Sequence, residues 1–266
     1  MDYLLFDVLA VGLPSLVLLH GLPGRRVLVV PVLVLATVAL LWTAPWDDHL
    51  VRSGVWSYDP SAVLGRLGAV PVEEYVFVAL EVLLVGAWAL RAGTLTTAST
   101  SARTGSSLRP NRSGARSRGG ALWALVALVG LLLLLAGGHA RYLGLLLVWA
   151  APPLALQHLV AGDVLADRRV ARLRTAAPVA LWLCVADRVA LAQGTWSITP
   201  SSATGAGVLG LPVEELLFFA LTCLLVTDGL LLAADPAVRR RLAWLTAPRD
   251  RRPTARSSGA ALPLTR

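Results

Sequence analysis

Long apolar blocks separated by short polar segments divide this chain. A bilayer core needs about 20 apolar residues per helix. Blocks of that length or slightly shorter lie at 3–20, 27–45, 70–90, 121–137, 141–161, 175–192 and 211–234, which predicts seven transmembrane helices. Arginine placement tests the count. If the chain alternates sides, one face receives Arg25, Arg26, the run from Arg91 to Arg118, the run from Arg168 to Arg174 and everything from Arg239 onward. The other face receives Arg52, Arg66, Arg141 and Arg188. This split, 20 against 4, predicts a cytoplasmic C-terminus and an external N-terminus under the positive-inside rule.

Two segments break the pattern. Residues 92–120 are rich in Ser, Thr, Gly and Arg with almost nothing to bury, and read as a disordered linker. Residues 236–266 read as a basic cytoplasmic tail. Arginines there suit anionic lipid head groups. Without aromatic residues between the charges, they do not suit nucleic acid.

Composition agrees with a membrane protein. The 266 residues are 56% hydrophobic and 15% charged, with mean hydropathy +0.68, a balance that soluble domains of this length rarely carry. All 24 basic side chains are arginine, so the lysine that a retinal photoreceptor needs is missing and that class is excluded. Cys184 and Cys223 sit inside apolar runs, which points away from a disulfide framework. His49 and His158 have no second ligand at metal spacing, so no metal is expected. The first residues carry Asp2 and Asp7 rather than a positive leader, and read as the start of the first helix.

The chain also repeats itself. "LLWTAPWDDHLVRSGVWSYDP" aligns with "ALWLCVADRVALAQGTWSITP", pairing Trp42 with Trp182, Asp47 with Asp187 and Trp56 with Trp196. One inserted residue later, 71–85 matches 212–226 at ten of fifteen positions. More weakly, "YLLFDVLAVGLPSLVLLH" matches "YLGLLLVWAAPPLALQHL". The expected architecture is an all-α polytopic membrane protein: two parallel three-helix repeats, 1–91 and 138–235, joined by a linker helix at 121–137. An odd-helix unit followed by one further crossing gives both copies the same orientation, related by a pseudo-twofold axis along the membrane normal.

The five glutamates are Glu73, Glu74, Glu81, Glu214 and Glu215, all within the third helices of the two units. Acids after Pro71 and Pro212 could simply favour the helix dipole. Two copies of the pair, in helices otherwise nearly free of carboxylates, argue for function, because intramembrane acids are costly. Asp47 and Asp187 read either as interfacial residues or as partners of the glutamates. Trp42, Trp56, Trp182 and Trp196 read either as belt residues or as neighbours of a substrate. Glu81, seven residues after Glu74, lies on the same helix face about 10 Å deeper, and its repeat partner is Thr222. A carboxylic acid in an apolar pocket keeps its proton at neutral pH, and a neighbouring carboxylate reinforces this. Such a pair can add a proton to one part of an apolar molecule and remove one from another.

The residues resemble a known family. "TAPWDDHLVRSGVWSYDP" with "GAVPVEEYVFVALEVLL" is similar to the first domain of the integral-membrane lycopene β-cyclases, and "WLCVADRVALAQGTWSITP" with "GLPVEELLFFALTCLLV" to the second, in the fused form. The resemblance covers about residues 1–235. It implies that lycopene, or a related bilayer-dissolved carotenoid, is protonated at a terminal double bond, closes a six-membered ring and loses a proton. In this reading Glu73 and Glu214, with Glu74 and Glu215, are the acid/base pairs, and glutamine at 73 or 214 abolishes cyclisation. Asp47 and Asp187 orient them, while Trp56, Trp196, Phe77 and Phe218 shape a cation pocket. Glu81 stands where an uncharged residue is expected, and Asp47-Asp48-His49 stands where related fused cyclases show Asp-Asn-Tyr. With no Gly-x-Gly-x-x-Gly fingerprint, no nucleotide cofactor is expected. Competing readings are a cyclase of C50 carotenoids and a proton-coupled solute carrier with the same helix arrangement.

Overall fold

A computed structural model describes residues 2–95 and 113–246. The first helix, α1 (Tyr3–Leu19), contains a π-helical stretch, Asp7–Gly12. A 3₁₀ turn at Arg25–Leu28 leads into α2 (Val29–Arg52). Three short strands follow, β1 (Trp56–Tyr58), β2 (Arg66–Leu67) and β3 (Val70–Pro71), and then α3 (Val72–Arg91). After α4 (Ser113–Ala136) the order recurs: α5 (Arg141–Asp167), α6 (Arg169–Ala192), β4 (Trp196–Ile198), β5 (Gly207–Val208), β6 (Leu211–Pro212) and α7 (Val213–Ala234). A final helix, α8, spans Pro236–Thr246. Helices α2, α4, α5, α6 and α7 are each long and apolar enough to cross a membrane. Their exposed faces carry large apolar side chains such as Leu41, Leu135 and Leu181, as expected of a protein that meets lipid.

Helices α3 and α7 form the centre and pack on each other. Each is flanked by the other helices of its own unit, α1 and α2 for α3, α5 and α6 for α7. Each also touches the second helix of the other unit.

Three departures from the sequence expectation have local causes. First, α4 begins at Ser113, so residues 113–120 of the expected linker are helical. They are held by close glycine contacts with α5. A Cβ on Gly119 would meet the His158 ring at 2.6 Å, one on Gly120 would meet Leu159 at 2.4 Å, and one on Gly162 would meet the Arg116 Cα at 3.1 Å. Residues 96–112 of that linker, and 247–266 of the tail, lie outside the described residues. Second, the start of the tail is α8, which sets Val238 against Ala161 and Val164 and pairs Arg241 with Asp163. Third, the loops after α2 and α6 are not wholly irregular. Each folds a two-stranded hairpin, β2–β3 and β5–β6, and β1 pairs with β4. The β1–β4 ladder pairs backbone beside the buried Trp56 and Tyr58, while the outer strands of the two hairpins, β2 and β5, are exposed.

The β1–β4 pair is antiparallel, with Ser57 opposite Ser197 and their hydroxyls 2.8 Å apart. The repeat aligns these same two serines. A second cross-link between the units follows from proline chemistry. Pro14 and Pro153 lack the N–H that would bond the carbonyls of Ala10 and Trp149, four residues earlier. The Trp182 indole donates to Ala10 O at 2.6 Å, and the Trp42 indole to Trp149 O at 3.2 Å. Each tryptophan thus reaches from one unit to repair a gap in the other. Trp88 does the same within the bundle, donating to Arg174 O, which Pro178 leaves free.

Candidate active site between the two units

The hairpins decide where the glutamates point. Strands β3 and β6 end on Pro71 and Pro212, whose extended ψ of 146° and 144° turns the chain directly into α3 and α7. Two adjacent glutamates then fall in the first turn, and successive helical residues point about 100° apart. Their roles separate accordingly. Glu73 accepts the Leu64 N–H at 2.6 Å, and Glu214 accepts the Thr204 N–H at 2.7 Å. These outer glutamates clasp the preceding loops onto the helices.

The inner glutamates turn toward the molecular centre. Glu74 Oε2 accepts two phenols, Tyr3 at 2.7 Å and Tyr58 at 2.8 Å. Glu215 Oε1 accepts one, Tyr142 at 2.6 Å. Tyr3 and Tyr142 are aligned by the repeat, whereas the position equivalent to Tyr58 is Ile198. Burial, and then the carboxyls of Glu74 and Asp47, push the Tyr58 phenol well above its ordinary value, so it remains a donor.

Glu74 and Glu215 line one cavity of about 410 Å³, which is walled by aromatic rings. Trp56, Trp196, Phe77 and Phe218, all expected around a cation, are part of its wall. So are Tyr3, Phe6, Tyr58 and Phe219, which sequence reasoning missed. Trp196 packs against Tyr3 and Phe6 with ring centroids 5.0 and 4.9 Å apart. The missed tyrosines carried a signal. The chain has only four, and Tyr3 and Tyr142 stand at the head of the weakest part of the repeat.

The aspartates do not face outward. Asp47 and Asp187 are buried within α2 and α6. Asp187 lines the cavity and accepts the Trp196 indole at 2.9 Å. Among the described residues, neither aspartate hydrogen-bonds a glutamate; they stand within electrostatic reach of Glu74. Glu81 lies apart from this cavity. Its carboxyl accepts the Thr222 hydroxyl at 2.6 Å, so the position where the repeat loses its symmetry forms a complementary pair across the α3–α7 contact. Glu81 and Thr222 line a second cavity of about 670 Å³ between α2, α3, α5 and α7, and Phe218 belongs to the walls of both. Among the described residues, no group of three or more His, Cys, Asp or Glu side chains is disposed to hold a metal ion.

The two halves of the site are unequally filled. Trp46 and Trp149 stack at 4.6 Å with Phe218, a residue of the cavity wall, beside them. The repeat aligns Trp46 with Ala186 and Trp149 with Ala10. Two alanines in the repeat thus stand where two stacked tryptophans do.

Comparison with known proteins places this arrangement. No solved structure matches the chain. A lycopene β-cyclase of Halobacterium salinarum is 38% identical over 245 residues, covering 90% of this chain and 99% of that protein. A bifunctional lycopene cyclase/phytoene synthase of Gibberella fujikuroi is 34% identical over 206 residues, 74% of this chain but 33% of that longer protein. One from Aspergillus niger is 32% identical over a stretch of the same length. The profile of the family described as Lycopene cyclase matches residues 2–90 and 139–229, stretches that contain the two copies of the tyrosine, the aspartate and the glutamate pair. The chain belongs to the lycopene cyclase family.

Proposed function

We propose that this chain is a lycopene β-cyclase that closes the ends of a linear carotenoid inside the bilayer, without a redox change. The observation that carries this reading is the placement of Glu74 and Glu215 in one aromatic-walled cavity, each on a phenol hydroxyl. Glu74 is the acid. Two phenols on Oε2 stabilise the carboxylate left behind when its proton goes to the terminal double bond. The tertiary cation that results is held by the faces of Trp196, Tyr3 and Phe77. The neighbouring double bond attacks it and the ring closes. Glu215, with one phenol and so the less stabilised carboxylate, takes the proton that leaves, giving the β-ionone double bond. The outer glutamates, Glu73 and Glu214, position the loops that roof the cavity.

The polyene behind the reacting end occupies the second cavity. Glu81 lies about 10 Å below Glu74 along α3, and Phe218 marks the point where the two spaces meet. In this reading the chain crosses the membrane seven times, with α1 and α3 added to the five long apolar helices. Its two units are related by a pseudo-twofold axis through the Ser57–Ser197 contact, and the arginine-poor end lies outside. One site is shared between the units, so the two ends of a lycopene molecule are processed in turn. A solute carrier fits poorly, because the shared cavity is lined by aromatic rings and carboxyls, its tyrosine hydroxyls are taken up by Glu74, and among the described residues no amide or aliphatic hydroxyl lines it to hold a polar solute.

The test is expression in a bacterium that accumulates lycopene, followed by chromatography of the pigments. Conversion through the one-ringed γ-carotene to β-carotene is expected. Unchanged lycopene, with the protein present in the membrane, rejects the substrate, and turnover of a C50 precursor in the same assay would reassign it.

A further inference from the structure

We propose that Asp7 and Glu73 form a proton-exchange route that recharges Glu74 from a cleft at the end of α1, an inference that rests on the cyclase reading above. Asp7 is fully buried, and neither carboxyl oxygen has a hydrogen-bond partner among the described residues. A buried polar group without a partner is destabilising, and inside a membrane such groups commonly serve proton movement. Asp7 opens the π-helical stretch of α1, a helix irregularity frequent at functional sites. It lies within electrostatic reach of Tyr3, Glu73 and Glu74.

Glu73 supplies the outer end. Its Oε1 clasps Leu64, but its buried Oε2 has no partner among the described residues. It lines a cleft of about 750 Å³ together with Asp2, Ser61 and the loop to Leu64. Asp7 stands one helical turn after Tyr3, which bonds Glu74, on the π-helical stretch that packs against α3; in the proposed route a proton enters at Glu73, passes Asp7 and reaches Glu74. The second unit lacks this series, because the position aligned with Asp7 is Leu146.

The reaction gives such a route a purpose. In each ring closure Glu74 loses a proton to an alkene carbon as a C–H bond forms. Glu215 gains one as a C–H bond on the new ring breaks. Electrons balance, yet both carboxyls end in the wrong state. Glu74 can be reset by the proton that Glu215 has just taken, or by solvent. Asp7 and Glu73 make solvent the source. Asp7 acts through Glu74 and is a positioning residue rather than a catalytic one.

Deuterium separates the two. Membranes carrying the full chain are equilibrated in D₂O and given unlabelled lycopene for many turnovers, and the carotenoids are weighed by mass spectrometry. Wild type is expected to place about one deuterium in each ring it closes, because a positioned general acid transfers its own exchangeable proton. Asp7→Asn is expected to slow turnover and to lower that content well below wild type, as abstracted protium is used again. Asp7→Glu, which restores the acid, is expected to restore the label. A merely structural role for Asp7 would change the rate and leave the deuterium per ring unaltered. That result overturns the route, as does a wild-type product already poor in deuterium. If Asp7→Asn closes no rings, Asp7→Glu decides: rings with full label support the route, and an inactive Asp7→Glu overturns it. A wild type that closes no rings overturns the cyclase reading and this inference together.

Discussion

The two units of this protein hold the same parts in unequal surroundings. Each presents a glutamate on a first-helix tyrosine and a tryptophan from the β1–β4 pair. The first adds Tyr58 and Asp7, while the second has Ile198 and Leu146 at those positions. Conversely, Trp46 and Trp149 stack where the repeat aligns Ala186 and Ala10. Both repeats place a carboxyl on one space, and in the reading proposed above the unequal surroundings make Glu74 the donor and Glu215 the acceptor. A reaction that adds a proton at one carbon and removes one from another needs that inequality, since two identical groups would have no preferred direction.

The largest effects should fall on the inner glutamates. Glu74→Gln and Glu215→Gln are each expected to reduce ring closure by about 10²–10⁴-fold, the usual contribution of a positioned acid or base. Glu214→Gln should remain within a few-fold of wild type, because a glutamine carbonyl can still accept the Thr204 N–H. Pigment chromatography, scaled to protein in the membrane, reads all three. A dead Glu214→Gln with a working Glu215→Gln would reverse the assignment of inner and outer roles.

Next come the phenols. Tyr3→Phe and Tyr58→Phe each remove a donor that stabilises the Glu74 carboxylate. A hydrogen bond to a charged group contributes about 1.5–3 kcal/mol, so each variant should turn over roughly ten- to a hundredfold more slowly in initial-rate assays. Tyr142→Phe should do less harm. It leaves Glu215 a less stabilised carboxylate, which is still a competent acceptor. Equal losses in the three variants would mean that the two glutamates share one role.

Much of this was legible before any coordinates, and the reasons are specific. Apolar blocks located the helices because a bilayer fixes their length. The repeat located the glutamates because the copies kept ten of fifteen residues there. What the pattern could not separate was Glu73 from Glu74. Adjacent residues have the same composition signal, and only the hairpin ending on Pro71 decides which one turns back to Leu64. Asp7 was read only as part of the start of the first helix, because a single acid carries no site signal until both its oxygens are seen buried. Helix in 113–120 was missed because glycines that look like linker in sequence are contact residues against α5.

The smallest predicted effect isolates what holds the units together. Trp182 donates to Ala10 O only because Pro14 leaves that carbonyl without an N–H. Interhelical hydrogen bonds of this kind are worth about 0.6 kcal/mol on average in membrane proteins. Trp182→Phe should lower stability in detergent by about that amount and barely change the pigment profile, since Trp182 lies outside the walls of both internal cavities. Pro14→Ala gives Ala10 O an N–H from its own helix. In that background Trp182→Phe should lose most of its effect, because the carbonyl no longer depends on the other unit. The interaction term of this double-mutant cycle measures the cross-unit bond itself, free of the loss of indole packing common to both backgrounds. A cycle that closes with no interaction would assign the stability of the pair to packing alone, and the same cycle on Trp42 and Pro153 would show whether both units are tied in the same way.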